Sequence, residues 1–270
     1  MSQQFPNPFF GTNAIYGRTV ARSSLLRPYP QFGNVQIYEP VGYNWYHSLQ
    51  VRVEKRFSHG FTTQLGYTWS KLMQATEFLN DQDPTPSEVI SDLDRPHRLT
   101  GSGIWEVPFG KGRKWGTQLN PVVNAVLGGW QLNAAYQHQS GQPLGFGNVI
   151  FNGDLKNIVL PEGQRNVDAW FNLDAGFERN GARQLGSNLR RFPIRFSGVR
   201  GPTQDRWDFG LIKNFHFNER WRLQFRAETF NAWNHSNLAN PNTGVTSGAF
   251  GTISSQDPPR SWQGALKLTF

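Results

Sequence analysis

Residues 46–57 alternate. His47, Leu49, Val51, Val53, Lys55 and Phe57 fall on one parity, and Tyr46, Ser48, Gln50, Arg52, Glu54 and Arg56 on the other. A two-residue period marks a strand with unlike faces, because successive side chains leave opposite sides of the pleat. Ser58-His59-Gly60 makes a short turn. Phe61, Thr63, Leu65, Tyr67 and Trp69 then alternate with Thr62, Gln64, Gly66, Thr68 and Ser70. This predicts a hairpin with one apolar and one polar face. The pattern returns over residues 97–109, 130–140, 206–215, 221–231 and 261–270. The expectation is an all-β chain, an antiparallel meander of about seven strands. Only residues 121–127 suit one or two helical turns.

The connections alternate in length. Strands one and two, and five and six, are joined by a few residues, whereas residues 72–96, 141–205 and 232–260 form long polar loops. Residues 110–129 are intermediate. Short turns at one end and long loops at the other describe an outer-membrane β-barrel. A soluble sandwich also alternates, so aromatic placement decides between them. Phe57, Phe61, Phe109, Trp130, Phe215, Trp221 and Phe270 all lie on the apolar parity where strands abut the short connections. Trp69, Trp207 and Trp262 lie on that parity at the opposite ends. Two levels of aromatics suit two membrane–water interfaces. On the other parity Arg52, Glu54, Arg226 and Glu228 sit mid-strand. Unpaired charge in a dry core costs several kcal/mol per group, so this face reads as a wet lumen. Lys55 and Lys213 break the pattern on the apolar parity, each two residues from a short-turn end, where a lysine can snorkel. Gly101 and Gly103 leave the third strand thin on that face.

Composition narrows the classes. The chain has 270 residues and no Cys, which removes disulfides and thiolate chemistry. No apolar run is long enough for a membrane helix. Lys and Arg number 27 against 19 Asp and Glu, yet the cations are scattered, with Lys111-Gly-Arg-Lys114 the longest cluster, so nucleic acid is not expected as a partner. Low hydropathy coexists with 21 Phe and 10 Trp, which calls for regular spacing rather than a massed core. The amino terminus carries no leader pattern.

The sequence resembles the carboxy-terminal barrel region of TonB-dependent outer-membrane receptors, most of all the subgroup with an amino-terminal carboxypeptidase-regulatory-like domain. The segments that carry the likeness are Leu26-Arg-Pro-Tyr-Pro-Gln-Phe-Gly33, Tyr46-His-Ser-Leu-Gln-Val-Arg-Val-Glu-Lys-Arg-Phe57, Gly66-Tyr-Thr-Trp-Ser-Lys71 and Asp94-Arg-Pro-His-Arg-Leu99. They continue with Trp105-Glu-Val-Pro-Phe-Gly110, Gly128-Gly-Trp-Gln-Leu132, Phe225-Arg-Ala-Glu-Thr-Phe-Asn231 and Leu266-Lys-Leu-Thr-Phe270. The terminal Phe270 resembles the signal read by the barrel-assembly machinery, with Ala265 where that signal usually has Gly. The resemblance implies energised uptake of an unidentified ligand, outer-membrane lipid around the wall, and TonB acting through an amino-terminal region and plug. Family barrels have about 22 strands. Seven strands over residues 46–270 therefore read as the carboxy-terminal part of a larger barrel. Residues 1–45 are expected to be an irregular extracellular segment and the sheet to have two open edges. A passive porin-like or adhesive barrel, and a soluble sandwich that binds carbohydrate, are the rival readings.

No catalytic constellation emerges, and neither an enzyme nor a cofactor is expected. Asp81, Asp83, Glu88, Asp92 and Asp94 lack an EF-hand register and read as a solvated loop. The six His show no metal spacing, and residues 110–116 lack the phosphate-loop pattern. Glu54 and Glu228 sit beside Arg52 and Arg226 and read as lumen ladders rather than an acid/base pair. Trp170 and Phe171 form the one candidate for ligand stacking from an exposed loop.

Overall fold

The structure is a computed structural model that describes residues 2–32, 38–184, 188–217 and 220–270. Gly33, at the end of one resemblance segment, lies outside these, as do Asn218 and Glu219, where the sequence predicts a short connection. The chain divides into two compact units, Met1–Pro40 and Val41–Phe270.

In the first unit β1 (Gln4–Pro6) pairs antiparallel with β2 (Thr19–Ala21), and α1 (Arg22–Leu25) follows directly. These residues were expected to be irregular because of their prolines. Pro6 ends its strand, where a missing N–H interrupts little of the ladder.

The second unit contains β3 (Tyr43–Ser58), β4 (Phe61–Ala75), β5 (Val89–Ile90), β6 (His97–Glu106), β7 (Trp130–Gln139), β8 (Gln204–His216), β9 (Arg222–Phe230) and β10 (Ser261–Thr269). The strands form one sheet in the order β10-β9-β8-β7-β6-β4-β3, every pair antiparallel, with the two-residue β5 beside the far end of β4. It is a single meander and does not close, so β3 and β10 are its edges. Two packed sheets, the signature of a sandwich, are not present among the described residues.

The register sorts the faces as the alternation requires. Leu65, Gly101, Tyr136 and Trp207 lie in one row across β4, β6, β7 and β8. Gln64, Ser102, Ala135 and Asp208 lie in the neighbouring row on the other face. β6 stops at Glu106, before the expected end at Phe109. Pro108 has no N–H to donate and breaks the ladder, and Phe109 instead bridges to Trp115. β4 runs on to Ala75 because β3 extends back to Tyr43 and pairs with it there, and Val89 and Ile90 pair with Gln74 and Met73 from the other side.

The connections at one end are residues 59–60, 107–129 and 217–221, and at the other 76–96, 140–203 and 231–260. The longest short-end connection holds α2 (Pro121–Leu127), which Asn120 caps by accepting from Val123 N at 2.8 Å. Gly110 is essential to this turn. Its φ is +121°, and a Cβ would meet Gly128 Cα and Asn124 Oδ1 at 2.8 Å. Gly110→Ala is expected to cost about 1–3 kcal/mol, read as a lower urea midpoint for the folded sheet in detergent.

The packed core is not in the sheet. Leu144, Phe146, Ile158, Phe171, Phe177, Phe192, Val245 and Phe250 are buried together, all from the two longest loops. The sheet's apolar face is uncovered: Leu49, Val53, Leu65, Leu266 and Leu268 are all exposed.

Candidate functional site: barrel wall and outer loops

The polar face is built from arginine–carboxylate pairs two residues apart on one strand, a spacing that puts both side chains on the same side. Arg52 Nη2 lies 3.0 Å from Glu54 Oε2 and also donates to Gln64 Oε1 across the hairpin at 3.1 Å. Arg226 Nη2 lies 3.2 Å from Glu228 Oε1 on β9. On β8 a third pair, Arg206 Nε to Asp208 Oδ1 at 2.9 Å, repeats the device; the sequence reading did not single it out, although the Arg-x-Asp spacing was visible. Glu54 and Glu228 are held by their own strand's arginines and do not converge as an acid and a base. Pairs this exposed contribute little to stability, about 0–1 kcal/mol each. They make three paired stretches on a charged face that also carries Arg56, Arg98, Arg222 and Lys267.

The apolar face carries the aromatics. Phe57 and Phe61 are exposed near the β3–β4 turn, and Trp221 stacks on Phe270 with centroids 5.4 Å apart. Trp130 meets Phe225 edge-on at 6.3 Å. Toward the opposite end Trp69 and Trp262 are exposed, and Trp207 stacks on Tyr136 at 4.3 Å. A water-soluble fold does not leave so continuous an apolar face bare.

Both out-of-pattern lysines reach back to a turn. Lys55 Nζ donates to Ser58 O, Ser58 Oγ and Phe61 O at 3.0–3.2 Å and lies over the Phe61 ring. Lys213 is 2% exposed, donates to Gly128 O, and lies over the Trp130 and Phe215 rings, 5.0 Å from each. Lys55 reaches the exposed turn as a snorkelling lysine does, whereas Lys213 is buried with its ammonium on Gly128 O.

A family model described as an outer membrane beta barrel domain matches residues 2–263. The chain belongs to that family. No curated protein and no solved structure matches it. The barrel domain lies in the bacterial outer membrane. Short turns of such barrels are periplasmic and long loops extracellular.

The outer loops of the barrel domain are welded into one assembly. Phe146 contacts Phe171 at 4.9 Å and Phe177 at 5.0 Å, and Phe250 of the last loop meets both Phe171 and Phe177 at 5.1 Å. Trp170 N donates to Gly251 O at 3.0 Å, and Ile253 N to Val167 O at 2.7 Å. The first loop joins through Asn80, whose side chain accepts from Arg190 N at 2.6 Å and donates to Arg190 O. Burial pushes the Arg190 guanidinium below its ordinary value, with Glu77 opposing the shift.

Two sequence expectations are corrected here. Phe171 is 1% exposed and sits in the loop core, so it does not present a ring to a ligand. Trp170 is partly buried against that core and donates its Nε1–H to Arg200 O at 2.6 Å. The residues pack the loop because two adjacent large apolar rings gain more from burial than from water. Asp94 is likewise not a solvated loop carboxylate. It is 1% exposed, accepts from Leu72 N at 2.7 Å, and meets Arg200 Nη2 at 2.7 Å. Arg200 also donates to Gly141 O, and Arg95 donates to Asp92 O, Asp94 O and Gln142 Oε1. Burial pushes the Arg95 guanidinium below its ordinary value, and the neighbouring Arg200 adds to the shift. Asp94 thus ties β4 to the loop assembly. Among the described residues no cluster of His, Asp and Glu is arranged to hold a metal ion.

Proposed function

We propose that this barrel domain is the carboxy-terminal wall of a TonB-dependent importer that takes up a ligand across the outer membrane by energised transport. The observation that carries this reading is the pairing of three of the wall's arginines, Arg52, Arg206 and Arg226, while Arg56, Arg98, Arg222 and Lys267 add positive charge to the same face. A pore that selects ions presents rings or patches of one sign. Here Arg52, Arg206 and Arg226 are each matched to a carboxylate on the same strand. Such pairs favour contact with a folded polar plug over conduction of a chosen ion. The resemblance in the order and spacing of its segments supports the same reading, and the joined outer loops suit a surface that receives a ligand from outside. On this reading the domain supplies wall and loops and is not an enzyme. The plug and remaining strands complete the barrel, TonB acts through the amino-terminal region, and Phe270 is read by the assembly machinery.

The protein expressed from its full reading frame and reconstituted in a planar bilayer is expected to stay electrically closed. It is expected to be retained from outer-membrane extracts by an immobilised periplasmic domain of TonB. A steady open-channel conductance together with no retention would instead establish a passive pore.

A further inference from the structure

We propose that a groove on the lipid-facing side of β4, β6 and β7 holds one acyl chain of an inner-leaflet phospholipid. The groove has a volume of about 470 Å³. Its floor exists because Gly101 and Gly103 place no side chain on the outward face of β6, while Ala134 beside Gly103 adds only a methyl. Phe61, Trp105 and Leu132 stand in the row below, and Leu65, Tyr136 and Trp207 in the row of Gly101. The upper wall is fixed. Tyr136 stacks on Trp207, and its hydroxyl donates to Asp205 Oδ2 at 3.1 Å. A Cβ at Gly101 would lie 3.1 Å from Leu65 Cδ2, so a side chain there would push on the groove wall.

The position of the groove selects its occupant. It belongs to the apolar face that the barrel family turns toward lipid. It runs from mid-strand toward the short turns, which places it in the inner-leaflet half. An empty depression there forfeits dispersion contacts on every lining atom, and a flexible hydrocarbon chain fills it without leaving the membrane. Ammonium groups flank its lower end. Lys55 lies over Phe61, itself part of the lower wall, and Lys213 lies over Trp130, one row below Leu132. Lys55 donates its ammonium to Ser58 O, Ser58 Oγ and Phe61 O, and Lys213 is buried and bonded to Gly128 O, so the hold on the lipid is through its acyl chain. This inference rests on membrane residence and is independent of whether the barrel is an importer or a passive pore.

The test uses the full-length protein extracted from outer membranes in mild detergent, delipidated, and incubated with phosphatidylglycerol before native mass spectrometry. One phospholipid per barrel is expected to remain bound. Ala134→Trp fills the groove and is expected to lower retention roughly tenfold, the equivalent of about two buried methylenes. Thr63→Leu fills the same space from β4 and serves as a second variant, with heat-modifiable gel mobility reporting that each is folded. Leu266→Trp, outward on β10 and away from the groove, is expected to retain lipid as the parent does. The proposal is overturned if the parent retains none, or if folded Ala134→Trp and Thr63→Leu retain as much as Leu266→Trp. It is also overturned if cross-linking through position 134 yields a dimer of the chain in place of a bound lipid.

Discussion

Asp94→Ala is expected to destabilise the outer-loop assembly by about 3–5 kcal/mol, the usual result of removing one partner of a buried ion pair. The carboxylate is 1% exposed and receives both the Arg200 guanidinium and the Leu72 amide. Its loss strands a partly buried cation and a backbone donor together. The penalty is expected to appear first as trypsin cleavage within residues 140–203, at a protease concentration that leaves the parent intact. Asp94→Ala combined with Arg200→Met is expected to recover part of the loss, because the second change removes the stranded charge. A double mutant no more resistant than Asp94→Ala alone would show that the pair carries no coupling and that Asp94 acts only through Leu72.

Phe171→Ala is expected to cost a similar amount, about 3–5 kcal/mol, through lost transfer energy and the cavity left among neighbours too rigid to close on it. Its ring lies edge-on between Phe146 and Phe250, which themselves touch Phe177. Hydrogen exchange separates this effect from damage to the wall. Amides of residues 140–203 and 231–260 are expected to exchange faster, while those of β7 and β8 keep the protection of the parent. Equal acceleration in both regions would mean that loops and strands unfold as one unit. A ligand that stacked on Phe171 would predict a different outcome, lost binding with unchanged exchange.

The strands were legible because a sheet with unlike faces imposes a period that no loop imitates. Leu49, Val51 and Val53 against Gln50, Arg52 and Glu54 locate β3, which starts at Tyr43, three residues before the expected Tyr46, and ends at Ser58, one past the expected Phe57. Proline was the misleading signal in both directions: Pro108 ended β6 early, and Pro6 did not prevent a short strand. Lys55 was legible as a lysine that reaches a turn, because its distance from that turn is a sequence property; Lys213 does not snorkel but is buried, its ammonium held by Gly128 O between two rings. The loop core was not. Phe146, Phe171 and Phe250 carry no period, and a phenylalanine in a polar segment reads the same whether it points out or in. The role of Asp94 was hidden for another reason. Its partner Arg200 follows 106 residues later, and one sequence offers no means of pairing charges across that distance. Arg206–Asp208 was within reach, since it repeats the spacing of Arg52–Glu54 on another strand.

The shared phenylalanine core also governs how the cell surface is seen from outside. The patches it supports are mosaics, assembled from stretches far apart in the chain and shaped only when those stretches are joined. A linear peptide copied from any one stretch lacks the neighbours that give it form. Antibodies raised against such a peptide would therefore recognise denatured protein on a blot and pass over the living bacterium, whereas immunisation with the intact barrel would yield the converse.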